Sequence, residues 1–150
     1  MNQSRIYSDP EGLFNVQVPD NWLVDASGQT GFRLLFAPQE REGSTELRPN
    51  VHINVGFVPP LTREEALIYH QLKIKRLSQS EKLGHHEVLD SGAHVFEWTN
   101  QQAQLVTWHR LQLAFAKNRA FTITATCLPG KCDEDIDCFF DSFEIHEVAC

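Results

Sequence analysis

The sequence predicts an α+β fold, a central antiparallel sheet with helices packed on it. Three observations predict it. Residues 51–57 alternate strictly between apolar and polar side chains. Thr62-Arg63-Glu64-Glu65 reads as a capping box ahead of an apolar-striped segment. Between His85 and Cys127, strand signals follow one another with only short turns between them.

Taken in order, Tyr7-Ser8-Asp9-Pro10-Glu11-Gly12 makes a turn, and Leu13 to Val18 a short alternating strand. Pro19-Asp20-Asn21-Trp22 stops that strand and leaves an indole at its end, expected as core beneath the helix. Gly31 to Ala37 reads as a strand closed by Pro38, and Gln39 to Pro49 as an exposed loop. In the next strand Val51, Ile53, Val55 and Phe57 share one face, with His52, Asn54 and Gly56 on the other. Pro59-Pro60 ends it.

The helix then starts at Thr62, with Leu61 as a hydrophobic staple. Ile68 and Leu72 form its apolar stripe, widened by Leu67, Ile74 and Leu77. Lys73, Lys75 and Arg76 suit its C-terminal half, and Gly84 is the expected stop. A meander follows: His85 to Asp90, a Ser91-Gly92 turn, Ala93 to Thr99, a turn at Asn100 to Gln102, Gln104 to Ala116, a Lys117-Asn118 turn, and Ala120 to Cys127. In the last of these strands Thr122, Thr124 and Thr126 share a face that suits solvent or a polar ligand but not a second apolar layer. Asp133 to Ser142 reads as a short helix, and Phe143 to Ile145 as a last strand.

The chain has 150 residues, which suits one domain over 1–150. Its formal net charge is −7. That disfavours nucleic acid and anionic membranes, which both need clustered Lys and Arg; it favours solubility and leaves open a basic partner. No apolar run reaches the roughly 20 residues of a membrane span, and no leader is visible, so no membrane insertion and a cytoplasmic location are expected.

Several of these segments together resemble the PsbP-like superfamily, which includes Mog-type Ran-binding proteins and DcrB-like domains. They are Gly12-Leu13-Phe14-Asn15-Val16, Val18-Pro19 and Trp22, then Pro49 to Val55, then the helix after Leu61-Thr62. Phe121-Thr122-Ile123-Thr124 and Ser142-Phe143 complete the pattern. The resemblance implies an α/β/α sandwich of the PsbP/DcrB-like type. The strand Trp108-His109-Arg110-Leu111-Gln112 followed by Phe115 looks most like the DcrB-like EagR chaperones, which cradle apolar segments of type VI secretion effectors. The Tyr7–Gly12 turn is more PsbP-like.

The function implied is a non-catalytic protein-binding module, a chaperone or adaptor for an effector with apolar helices, with homodimer formation open. A PsbP-like assembly or photosynthesis-related accessory protein, or a small metal-binding protein or enzyme, are the alternatives. Val106, Trp108, Arg110 and Gln112, with Thr122 and Thr124 beside them, are the expected partner-binding residues on an exposed concave sheet face.

The remaining candidates have simpler readings. Cys127, Cys132 and Cys138 with His146 offer zinc donors, but the spacing matches no common zinc motif, so no metal or other cofactor is expected. Structural cysteines, with one disulfide at most, are the favoured reading. His85 and His86 are adjacent on a strand and point to opposite faces. His52, Asn54, His94 and His109 share one face, with no nucleophile motif beside them; half-buried structural histidines are favoured, and no catalytic residue is expected. Trp98 and Trp108 are expected to pair across neighbouring strands.

Overall fold

The computed structural model describes residues 3–39, 48–57, 62, 64–65, 68–69, 71–72, 75, 82–102, 104–116, 119–129 and 134–146. Among the described residues, ten strands build two sheets. β1 (Ser4–Ser8), β2 (Phe14–Pro19) and β10 (Glu144–Ile145) form a three-stranded sheet in the order β1-β2-β10. The larger sheet has seven strands in the order β3-β4-β5-β9-β8-β7-β6. These are β3 (Trp22–Asp25), β4 (Leu34–Pro38), β5 (Asn50–Phe57), β6 (Lys82–Val88), β7 (His94–Gln102), β8 (Leu105–Ala116) and β9 (Arg119–Cys127). Every pairing is antiparallel. A C-terminal helix spans Glu134–Ser142. The described residues are therefore sheet-dominated and do not make a clear α/β/α sandwich, which corrects that part of the expectation.

The main core lies between the two sheets. Phe14, Val16 and Val18 of β2 meet Trp22, Phe36, Val51, Ile53, Ile123 and Ala125 of the larger sheet. Ile136 and Phe139 of the C-terminal helix close it. The strict alternation of β5 explains why Val51 and Ile53 are fully buried while His52 and Asn54 face the other way.

Several boundaries differ from the sequence reading. β1 runs on through Tyr7 and Ser8, the first residues of the expected turn, and its mostly exposed and polar residues hide the strand signal. Trp22 begins β3 instead of ending a strand, because the turn at Asp20 and Asn21 carries the chain from one sheet to the other. Residues 31–33 are bends, and β4 starts only at Leu34. Asn100 to Gln102 stay in β7, where Asn100 pairs with Thr107 and Gln102 with Leu105. Gly84 does not end a helix. It sits inside β6, where the register slips between Leu83 and His85, and a bulge suits a residue without a side chain.

The expected turns are better matched. Gly12, at φ 74°, donates its N–H to Asp9 O at 2.8 Å and reverses the chain between β1 and β2. Gly92, at φ 89°, does the same for β6 and β7 by donating to Leu89 O at 2.9 Å. The capping box forms as read: Glu65 N donates to Thr62 Oγ1 and Thr62 N to Glu65 Oε1, both at 3.2 Å. Residues 64, 65, 68, 69, 71, 72 and 75 are helical. Leu61, Leu67, Lys73, Ile74, Arg76 and Leu77 lie outside the described residues, as do Lys117, Asn118, Cys132 and Cys150. Among the described residues, no helix is long and apolar enough to cross a membrane.

Candidate functional site: a carboxylate-lined cleft

The strand registers decide which expected site residues can meet. Arg110 pairs with Ala125, Gln112 with Ile123 and Trp108 with Cys127, so Val106, Trp108, Arg110 and Gln112 project on the core side of the sheet. Thr122 and Thr124 pair with Leu113 and Leu111 and project on the opposite side. The six residues therefore do not form one surface. Nor is the threonine face open to solvent. Thr122 and Thr124 are buried, and they lie beside a second apolar cluster of Phe96, Trp98, Leu111 and Leu113. That face carries an apolar layer after all, because β7 and β8 turn their own hydrophobic residues to it.

The tryptophans separate in the same way. Trp98 opposes His109 and Thr99 opposes Trp108, so the two indoles point to opposite faces and do not pair. Trp98 is buried against the imidazole of His109, with ring centroids 5.2 Å apart. Trp22 is core, as expected, but beneath the C-terminal helix. Its ring packs edge-on against Phe139 at 4.9 Å, and its indole N–H donates to Asp135 Oδ2 at 3.2 Å.

Arg110 and Gln112 line a cleft of about 390 Å³ between the edge of the large sheet and the C-terminal helix. β6 supplies His85 and Glu87, and β7 supplies Val95 and Glu97. The helix supplies Asp137, Phe140 and Asp141. Arg110 ties the two walls together. Its Nε donates to Glu97 Oε1 at 2.8 Å and its Nη1 to Asp137 Oδ1 at 3.0 Å. Its guanidinium also sits 5.1 Å from the rings of Trp108 and Phe140. Burial works against the Arg110 charge, but the bonds to Asp137 and Glu97 outweigh it and raise the pKa. Gln112 is 7% exposed, and its side-chain amide has no hydrogen-bond partner among the described residues. The amide itself is not sealed from solvent, since it borders the open cleft.

The described histidines and cysteines are spread over the fold. His109 shares hydrogen bonds with Thr107 Oγ1 at 2.8 Å and Thr126 Oγ1 at 3.1 Å, and burial lowers its pKa. His94 is lowered first by burial and then by His86, whose Nε2 lies 3.0 Å from its Nδ1. His52 stacks on Phe32 at 3.9 Å. Asn54 Oδ1 accepts from Arg33 N at 3.0 Å. His85 and His86 face opposite sides, as the strand geometry requires: His86 stacks on Phe96 while His85 borders the cleft.

Cys127 is disulfide-bonded, so its sulfur is not a thiolate donor. Cys138 is free; burial first, then Asp135 and Asp141, push its thiol pKa up, away from reactivity. Among the described residues, no three His, Cys, Asp or Glu side chains gather as a metal site.

No protein-family model and no curated protein matches the chain. Solved structures do. The Ran-binding protein Mog1p of Saccharomyces cerevisiae superposes with a TM-score of 0.67 at 10% identity, covering 97% of this chain and 96% of that one. This chain has a Mog1/PsbP-like fold. LpqN of Mycobacterium tuberculosis, involved in cell envelope biogenesis, gives 0.64 at 10% identity, over 95% of this chain and 90% of its own. A protein of Bacteroides thetaiotaomicron gives 0.62 at 17% identity over 96% of this chain. The present chain spans only 49% of that protein's length. The shared fold carries no shared site at these identities.

Proposed function

We propose that this chain is a non-catalytic protein-binding module whose recognition surface is the Arg110–Gln112 cleft. One observation carries the reading. Gln112 is 7% exposed, and its amide, with no hydrogen-bond partner among the described residues, reaches an open cleft whose walls are braced by Arg110. An amide held in this way is already in place to bond a group that enters the cleft. The described lining offers carboxylates, a guanidinium, an imidazole and an amide, with no hydroxyl or thiol among them. That set suits recognition better than covalent catalysis. Mog1p is by name a Ran-binding protein, and the common fold supports a protein partner by analogy.

In its finer form the module is a chaperone or adaptor for apolar segments of a type VI secretion effector, working in the cytoplasm. Ile68, Tyr69 and Leu72 support this form. They are 54%, 48% and 55% exposed, although the amphipathic pattern intends such residues for burial. Val106, 37% exposed on β8, offers further apolar surface. A second reading, an assembly factor of a lumen or periplasm, is favoured by the Cys127 disulfide, since cytosolic reductants keep thiols reduced.

Affinity capture from native extract with wild type, Asp141→Lys, and Ile68→Ser/Leu72→Ser decides between surfaces. Loss of one defined partner with Asp141→Lys supports the cleft. Loss with the helix pair alone supports the apolar surface. Equal recovery by all three proteins would sink both assignments.

A further inference from the structure

We infer that the cleft takes a cationic side chain, lysine or arginine, carried on an extended segment of a partner protein. This rests on the binding-module reading and names its partner chemistry. Four carboxylates line the cleft, from Glu87, Glu97, Asp137 and Asp141, against the single guanidinium of Arg110. Arg110 does not use them up. It bonds one oxygen of Glu97 and one of Asp137, and each second oxygen has no partner among the described residues. Glu87 has only a 3.8 Å contact with His85. Asp141 has no side-chain partner among the described residues.

Gln112 makes this more than an acidic patch. Its amide oxygen, held on a side chain that is otherwise buried, can accept from an ammonium or guanidinium that enters the cleft. Carboxylates within a recess of partly apolar walls concentrate a negative field there, which attracts a cation and repels phosphate. Phe140, Val95 and Leu89 give the aliphatic stem of a lysine or arginine an apolar wall. The cleft runs along β6, the outermost strand of the large sheet, so a peptide can approach from the side. A volume of about 390 Å³ holds one long side chain with its adjoining backbone.

The test uses the full chain and a fluorescent peptide of alternating lysine and serine, followed by anisotropy at low salt. The wild type should bind it. Glu87→Gln/Asp141→Asn should weaken binding about tenfold, which is about 1.4 kcal/mol. Asp20→Asn/Glu64→Gln, an equal charge change elsewhere on the surface, should shift it less than about twofold. Gln112→Met should weaken it without loss of fold. Equal loss in both double variants means diffuse charge and overturns the proposal. Displacement of the peptide by an equal concentration of spermidine or magnesium means a free cation is the occupant, and overturns it too. If the peptide fails to bind while Asp141→Lys still abolishes partner capture from extract, the cationic occupant falls and the binding module stands. If both fail, both fall.

Discussion

Replacing Asp9 by alanine should cost this fold more than any single change at its surface. The Asp9 side chain is 1% exposed, and it is fully engaged. Arg33 grips it with two parallel bonds, Nε to Oδ1 at 2.9 Å and Nη2 to Oδ2 at 3.0 Å. The amides of Glu11 and Leu13 also donate to Oδ2, at 3.2 and 3.3 Å. The hydrogen bond to Asp9 is the first reason that Arg33 holds its proton more firmly than usual. Removing one partner of a buried pair costs about 3–5 kcal/mol, because the other charge is left uncompensated. Arg33 is 28% exposed and keeps a 3.1 Å contact with Glu11, so it is partly rescued and the lower end applies. The two orphaned amides add about 1 kcal/mol each. The expected loss is therefore about 4–5 kcal/mol, a large share of a typical stability of about 5–15 kcal/mol. Urea unfolding followed by tryptophan fluorescence measures it. In a double-mutant cycle with Arg33→Ala the pair should couple by about 1–3 kcal/mol. A loss below about 1 kcal/mol for Asp9→Ala, or no coupling, would refute the claim that this pair holds the first hairpin to β4.

Three other outcomes are expected. Trp22→Phe removes the indole N–H bond to Asp135 and part of a fully buried ring, so calorimetry should show a loss of about 1–3 kcal/mol; an unchanged Tm would mean that the helix is anchored elsewhere. Gln112→Met keeps the side-chain volume and gives up an amide that reaches the cleft without a partner among the described residues, so stability should stay within about 1 kcal/mol of wild type in the same urea assay; a larger loss would reveal a bond not accounted for. His94 and His109 bind protons more weakly folded than unfolded, so their contribution is complete above the ordinary histidine pKa of about 6.5 and is lost as pH falls below it. Tm should therefore drop between pH 7.5 and 5.5, and the drop should be smaller in His109→Gln; an identical pH profile for the variant would assign the loss to other groups.

Much of the architecture is written in local patterns. The alternation of residues 51–57, the glycines at 12 and 92, and the Thr62–Glu65 box each act within a few residues, so each is readable without tertiary information. β1 and β3 are not readable this way. β1 is polar and exposed, and β3 is only four residues long, so both owe their pairing to a neighbouring strand. The site shows the same divide. Arg110 and Gln112 are legible from their strand and do line the cleft, but Glu87 lies 23 residues before Arg110 and Asp141 lies 31 after it, and only the strand pairing and helix packing bring them together. The like-charged pair Asp137 and Asp141, one helical turn apart and beside buried Phe140, is a usable signal that the helix edge borders something open. Thr122 and Thr124 show the opposite failure. A polar composition suggested an open face, but burial depends on what β7 and β8 place beside them.

The pairing of β10 with β2 has a consequence for biosynthesis. Glu144 and Ile145 pair with Asn15 and Phe14, and the bond from Gln17 N to Ser142 Oγ joins residues 125 positions apart. A ribosome adds about 5–20 residues each second, so β2 waits on the order of ten seconds for the helix and strand that cover it. During that interval Phe14, Val16 and Val18, which are buried in the finished fold, have no C-terminal helix to lie against. The nascent chain thus carries an uncovered apolar strand until residues 134–146 have left the exit tunnel and can complete this part of the fold.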